Sequence, residues 1–182
     1  MNLSGAPGLA FETWESIDAN ARGIRMARGR MKTLANARDR EEIVQRLRAI
    51  GPASQRRWGK MTVAEMVCHM TDALRVSMGG KRAQPVSNWF SRSLFKWAGL
   101  WFPTQWPHGV RTVPECEAGV GGTSAAELDA DLKELREVFD RFTRQPRSYE
   151  LQAHPIFGPM NEKEWMRWGF LHIDHHLRQF GA

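Results

Sequence analysis

Apolar residues recur at every third or fourth position in four stretches of the chain, which is the spacing of one buried face of an α-helix. The first stretch covers about residues 37–50, and the others begin after Thr62, Ser124 and Asn161. Each of those three residues has a glutamate three positions later, which is the capping-box pattern of a helix start. No strand-like alternation appears between them. The pattern therefore predicts an all-α protein folded as an antiparallel four-helix bundle.

Two stretches depart from this pattern. Residues 1–30 have no sustained hydrophobic period, and we treat them as an N-terminal extension, or a start-site error, before a domain at residues 31–182. Between the second and third predicted helices, residues 81–123 are rich in tryptophan and show helical spacing from about residue 88 to residue 101. We predict that this Trp-rich helical insertion covers the bundle as a lid. The alternative is a helix that lies on a membrane surface.

Length and composition narrow the classes of protein. A chain of 182 residues with 42% hydrophobic residues is long enough for one domain with a real core. The net charge of +6 raises the question of nucleic acid, but no aromatic–basic pattern or zinc-finger spacing supports such binding. No apolar run reaches the roughly 18 residues of a membrane span. Two cysteines and the lack of a secretory signal predict a cytoplasmic protein.

Candidate chemistry is concentrated in the last predicted helix, where three of the six histidines fall within five residues. At about 100° per residue, His172 and His176 share the apolar stripe with Trp165 and Phe180, whereas His175 lies at its polar edge. Two imidazoles that are one helical turn apart can bind the same metal ion. This spacing makes His172 and His176 a candidate ligand pair.

A third imidazole, His69, lies beside the apolar stripe of the second helix. If the second and last helices face each other, His69 meets His172 and His176 in the core. Three neutral imidazoles suit a divalent metal such as zinc, nickel or iron. Three protein ligands leave one coordination position open for water or a substrate, as in catalytic sites. The alternative is that these histidines are ordinary core residues.

Other polar residues are candidates for supporting roles. Glu65 and Asp72 lie one helical turn on either side of His69, and Gln179 follows His176 by three positions, so each is a candidate to orient a ligand. Glu65 is also the one candidate catalytic base that we assign from the sequence. His108 and His154 are loop residues beside prolines, and we expect them to be structural or solvent-facing; the alternative is that they line the pocket. We expect Cys68 to be a bystander rather than a nucleophile.

Several of these motifs together resemble the DinB/YfiT-like superfamily, and more narrowly one of its uncharacterised branches. They are Trp58-Gly-Lys-Met-Thr-Val-Ala-Glu-Met-Val-Cys-His69, His154-Pro-Ile-Phe-Gly158, Glu164-Trp165 and His172-Ile-Asp-His-His-Leu-Arg-Gln-Phe180. The resemblance covers the chain from about Met31 onward. It implies a four-helix bundle whose divalent metal is held by one histidine of the second helix and an H-x-x-x-H pair of the last. Those positions are matched by the trio His69, His172 and His176.

The resemblance also implies a class of function. The superfamily includes transferases and isomerases that use low-molecular-weight thiols, so we predict a metal-dependent enzyme acting on a small molecule, with thiol transfer favoured over hydrolysis. Many members have Arg-Gly-Gln after the last histidine, whereas this chain has Leu177-Arg178-Gln179. The alternatives are a non-catalytic bundle stabilised by its metal and a stress-related binding protein. The apolar insertion is a candidate homodimer surface.

Overall fold

The computed structural model describes residues 30–86, 96–102 and 105–182, and these residues form an all-α protein. The four long helices are α1 (Ala37–Arg48), α2 (Val63–Ser77), α3 (Leu128–Thr143) and α4 (Glu162–Gln179), and a short 3-10 helix occupies Pro114–Cys116. Residues 96–101 are also helical. Strand-like pairing in the described part of the chain is limited to one isolated bridge between His154 and Gly158.

Local capping fixes where α2 and α4 begin. Thr62 Oγ1 accepts a hydrogen bond from the backbone N–H of Glu65 at 3.2 Å, and Glu65 Oε2 accepts from the N–H of Thr62 at 2.7 Å. Asn161 and Glu164 make the same reciprocal pair at the start of α4, at 3.0 and 2.8 Å. Both starts agree with the sequence prediction, because a capping box satisfies free backbone donors with residues of its own turn.

The predicted capping box at Ser124 and Glu127 is wrong. Helix α3 begins at Leu128, and its N-cap residue Glu127 makes no side-chain capping bond. The reason is tertiary, because the buried carboxylate of Asp72 accepts hydrogen bonds from the backbone N–H and the hydroxyl of Thr123 at 2.7 and 2.8 Å. These bonds hold the chain against α2 just before the predicted start. Helix α1 ends at Arg48, two residues earlier than predicted.

The helices pack around one buried cluster. Helix α2 contacts α3 most extensively and also contacts α4, while α1 packs on α4. The close approach of α4 to its neighbours occurs at Gly169, where an added Cβ would lie 2.8 Å from the Leu34 side chain and 2.9 Å from the Phe142 ring. The largest fully buried side chains of the cluster include Leu34, Ile43, Met66, Met70, Leu135, Phe139, Phe142 and Trp165.

The segment between α2 and α3 is described at residues 81–86, 96–102 and 105–127. The predicted helix start near residue 88 lies outside the described residues, as do residues 1–29 of the predicted extension. Within the described part, Arg167 of α4 donates to the carbonyl of the buried Leu100 at 3.0 Å. Trp106 Nε1 donates to the carbonyl of Gly99 at 2.6 Å. None of the described helices is both long enough and apolar enough to span a bilayer.

Candidate metal centre

Three buried histidines from two helices meet in the core. His69 comes from α2, and His172 and His176 come from successive turns of α4. One ring nitrogen of each lies within 4.8 Å of the others. The Nε2 atoms of His69 and His172 are 3.0 Å apart. The three residues are only 6–7% exposed, so they are largely shielded from bulk water. Such a cluster could hold a metal ion.

A backbone carbonyl sets the tautomer of His69. Its Nδ1 lies 3.0 Å from the carbonyl oxygen of Cys116, on the 3-10 helix, and 3.4 Å from Thr112 Oγ1. A carbonyl oxygen only accepts hydrogen bonds, so Nδ1 of His69 carries the proton and donates. In the neutral ring the lone pair then lies on Nε2, the atom that faces His172.

A side-chain amide does the same for His176. Its Nδ1 lies 3.0 Å from Gln179 Oε1, while Gln179 Nε2 donates to the carbonyl of Trp58 at 2.9 Å. The bond to Trp58 fixes which end of the amide is oxygen, so Oε1 accepts the Nδ1 proton of His176. Gly59 has φ +80°, and an added Cβ there would collide with the Gln179 amide. His176 therefore also presents a bare Nε2.

His172 has an unsatisfied polar atom. Its ring stacks on Trp168 with centroids 4.8 Å apart, and its buried Nδ1 has no hydrogen-bond partner among the described residues. If His172 donates from Nε2 to His69, a bare acceptor is left buried at Nδ1. If Nδ1 carries the proton instead, two lone pairs face each other at 3.0 Å, which a cation between them would relieve. Three neutral nitrogen donors in this arrangement fit a divalent transition-metal ion.

Burial keeps all three rings uncharged at neutral pH. Desolvation lowers the pKa of His69 below its ordinary value, against the opposing effect of its bond to the Cys116 carbonyl. Desolvation and then repulsion from the neighbouring histidines lower the pKa of His172 well below the ordinary range, and His176 is lowered well below it by desolvation and then by His69. Neutral imidazole is the form that binds a metal, so the site needs no proton loss near pH 7.

A cavity of about 660 Å³ opens beside the trio. Its walls come from α2, the segment between α2 and α3, the turn at residues 154–157 and α4, and they are mainly apolar. The described residues that line it are Met61, His69, Ala73, Val76, Ala98, Gly99, Phe102, Gln105, Trp106, Pro107, Val110, Arg111, Thr112, Val113, Cys116, His154, Pro155, Ile156, Phe157, Trp165, Trp168, His172, His175 and His176.

The candidate supporting residues divide between the site and the scaffold. Gln179 bonds to His176 as expected for an orienting group. Asp72 instead binds Thr123 and Lys81, with Lys81 Nζ at 2.6 Å from its carboxylate. The carboxylate of Glu65 accepts the capping bond at the start of α2, and Glu65 is absent from the described cavity lining. Its assignment as a catalytic base stays a prediction.

The remaining histidines occupy different surroundings. His108 is exposed and stacks on Trp58, with ring centroids 4.1 Å apart. His154 lines the cavity, which was the alternative to a structural or solvent-facing position. The turn paired at Gly158 places its ring 5.5 Å from that of Trp165. Its Nδ1 accepts two backbone N–H groups of that turn, and burial lowers its pKa to about 3. His175 also lines the cavity, and burial lowers its pKa to about 4.

The two cysteines are poor nucleophiles. Burial, followed by repulsion from Asp131, raises the pKa of Cys68 to about 11, and burial raises that of Cys116 to about 12. The thiolate is the reactive form of cysteine, so both side chains are inert near neutral pH. Cys116 contributes to the site through its backbone carbonyl, a group that has no signature in the sequence. The role of the Trp58 carbonyl, which accepts from Gln179, could not be predicted for the same reason.

Comparison with known families places this chain in one of them. The chain belongs to the family described as protein of unknown function (DUF1569), whose match covers residues 26–182. That range includes all four long helices and the three clustered histidines. A search of curated proteins found no match. A search of solved structures found no match either.

Proposed function

We propose that this DUF1569 protein is a divalent-metal-dependent enzyme that acts on a small molecule, with His69, His172 and His176 as its metal ligands. The observation that carries the proposal is the convergence of three buried, neutral imidazoles at the wall of a cavity of about 660 Å³. Two of the three have their Nδ1 protons bound by fixed acceptors, which leaves their Nε2 lone pairs available to a metal.

We also propose that the fold is an antiparallel four-helix bundle of the DinB/YfiT-like type, with a Trp-rich helical insertion between α2 and α3. Support comes from the packing of α2 on α3, of α1 on α4 and of α2 on α4. The described part of the insertion reaches the site, since the Trp106 ring is 6.2 Å from that of His172. In this proposal the insertion covers the cavity and limits the entry of water.

The donor set restricts the identity of the metal. Nitrogen-only ligation suits zinc, nickel or iron, whereas magnesium and calcium take oxygen ligands. The described lining of the cavity contains no aspartate or glutamate that would supply such oxygens. A bound transition-metal ion would supply Lewis acidity, which lowers the pKa of a thiol or water in its open position. The chain's own contribution is to hold three imidazoles neutral, oriented and shielded from water.

Thiol transfer is the favoured reaction for a physical reason. A thiol brings its own nucleophile to the site, whereas hydrolysis gains from a positioned general base. The described cavity lining has no carboxylate, and the pKa values of His154 and His175, about 3 and about 4, make both weak bases. A low-molecular-weight thiol would therefore be the attacking partner, and an electrophile in the cavity would be the acceptor.

An activity assay tests this reaction directly. Metal-loaded protein is incubated with a panel of small thiols and an apolar electrophile, and thiol consumption is followed over time. We expect consumption above background that is lost on chelation and in His172→Ala, and retained in His108→Ala, which removes an exposed histidine. Activity that survives both chelation and the His172→Ala substitution would contradict a metal-dependent reaction. No activity with any thiol in the panel would contradict thiol transfer.

The alternative is a structural role, in which the metal only holds α2 against α4. The His69→Ala variant distinguishes the catalytic role from the structural role, because it removes the single proposed ligand that α2 supplies. For an enzyme, we expect loss of metal and activity with a melting temperature, measured by calorimetry, within a few degrees of that of metal-loaded wild-type protein. Metal-loaded wild type that lacks activity but melts far above the chelated form would favour the structural role.

A further inference from the structure

The walls of the cavity beside the histidines carry almost no charge. Among its described lining residues, Arg111 is the one member of the Asp, Glu, Lys and Arg group, and its side chain is exposed. Much of the remaining wall is apolar or aromatic, including Val76, Phe102, Phe157 and Trp168. A molecule inside it would therefore meet mainly hydrocarbon and aromatic surface.

The histidines supply no negative charge either. His69 and His176 each give their Nδ1 proton to a neutral oxygen, a backbone carbonyl and an amide respectively. Neither of these two acceptors is a carboxylate. The buried acid of α2, Asp72, is already paired with Lys81 at 2.6 Å and with Arg75 at 3.8 Å. The described lining of the cavity thus contains no carboxylate that would compensate the double charge of a divalent ion.

An uncompensated charge in an apolar cavity favours an anionic ligand. Removing an ion from water carries a large desolvation penalty, which an opposite charge in contact with it offsets. Because the protein provides no such charge on the described walls, the charge has to come with the molecule that enters.

We infer that the cavity takes a molecule with an apolar body and a single anionic end, a hydrophobic carboxylate or thiolate, with the anionic end toward the three histidines. This inference rests on the proposed metal site. The volume of about 660 Å³ lies within the range of roughly 300–1,000 Å³ that is typical of small-molecule sites. The apolar body would pack against the Trp106 and Trp168 side of the cavity.

Three matched probes test the inference on the full-length, zinc-loaded protein by titration calorimetry. They are 4-phenylbutyrate, which has both features, 4-phenylbutyramide, which keeps the body without the charge, and acetate, which keeps the charge without the body. We expect 4-phenylbutyrate to bind at least about tenfold more tightly than either of the others. Equal binding of the acid and the amide, or of the acid and acetate, would overturn the inference.

Two further arms identify the source of the preference. In chelated protein we expect 4-phenylbutyrate and its amide to bind within about threefold of each other, a difference of less than 1 kcal/mol. In zinc-loaded Arg111→Gln we expect the tenfold preference to persist. Loss of the preference in that variant would assign it to Arg111 and overturn the inference. Protein that retains no zinc, nickel or iron would instead overturn the proposed function, and the inference with it.

Discussion

At the scale of single residues, the chemistry of the site depends on groups that lie behind the histidines. Gln179 is the clearest case, since its amide links the Trp58 carbonyl to the Nδ1 proton of His176. Because one end of the amide is committed to Trp58, the other end can only accept. Gln179 therefore acts as a positioning residue that holds one tautomer of His176.

Replacement of Gln179 tests this role. In Gln179→Ala we expect metal affinity to fall about 10–100-fold, the usual effect of losing a group that orients a ligand. The measurement is competition with a chromogenic chelator. Arg178→Ala is the matched control, since Arg178 binds Asp174 and Gln105 and makes no bond to a clustered histidine. Equal loss of affinity in both variants would argue against a positioning role for Gln179.

At the scale of elements, the loop before α2 is attached to the end of α4. Arg57 N–H donates to the Gln179 carbonyl at 2.8 Å, and the Gln179 side chain reaches back to Trp58. This approach is feasible because Gly59 has a positive φ and no side chain at the point where the amide passes. The loop thereby aligns the helix of His69 with the helix of His172 and His176.

A pair of glycine variants tests this attachment. Gly59→Ala places a Cβ in the left-handed region and against the Gln179 amide, so we expect a loss of about 1–3 kcal/mol in the free energy of unfolding. Metal affinity should fall as well. Gly51→Ala is the control, since no atom lies within 4 Å of its added Cβ, and we expect a change within about 0.5 kcal/mol. Denaturant titration measures both, and similar losses would contradict the assignment.

Element boundaries show what the sequence could and could not predict. The starts of α2 and α4 were predictable because Thr62 and Asn161 are capped by glutamates of their own first turns. The start of α3 was not, because Asp72, more than fifty positions away, draws Thr123 toward α2. The histidine trio followed from helical spacing, whereas the carbonyls that orient it follow from loop paths that no side-chain pattern encodes.

At the scale of the whole molecule, the fold keeps five histidines uncharged around one cavity. Burial is the first cause of the lowered pKa in each: His69, His154, His172, His175 and His176. A folded-state pKa below the unfolded value means that the unfolded chain binds more protons between the two. The resulting stability is present above about pH 6.5 and is lost as the pH falls toward the folded-state values.

This linkage predicts that chelated protein is less stable at pH 5 than at pH 7. A histidine whose folded pKa lies well below 5 contributes about 2 kcal/mol to that difference. His154, with a pKa of about 3, is such a group, so His154→Asn should reduce the difference by about 2 kcal/mol while keeping an acceptor for the turn. Urea titrations at both pH values measure it. A difference unchanged by the substitution would show that His154 does not contribute.

The most direct test of the whole account is the metal content of the full chain. Protein is incubated with zinc, nickel or iron, freed of unbound metal by gel filtration and measured by elemental analysis. The account predicts about one ion per chain in wild type and in His108→Ala, and close to none when His69, His172 and His176 are all replaced by alanine. Wild-type protein that holds no metal, or a triple variant that holds as much as wild type, would contradict it.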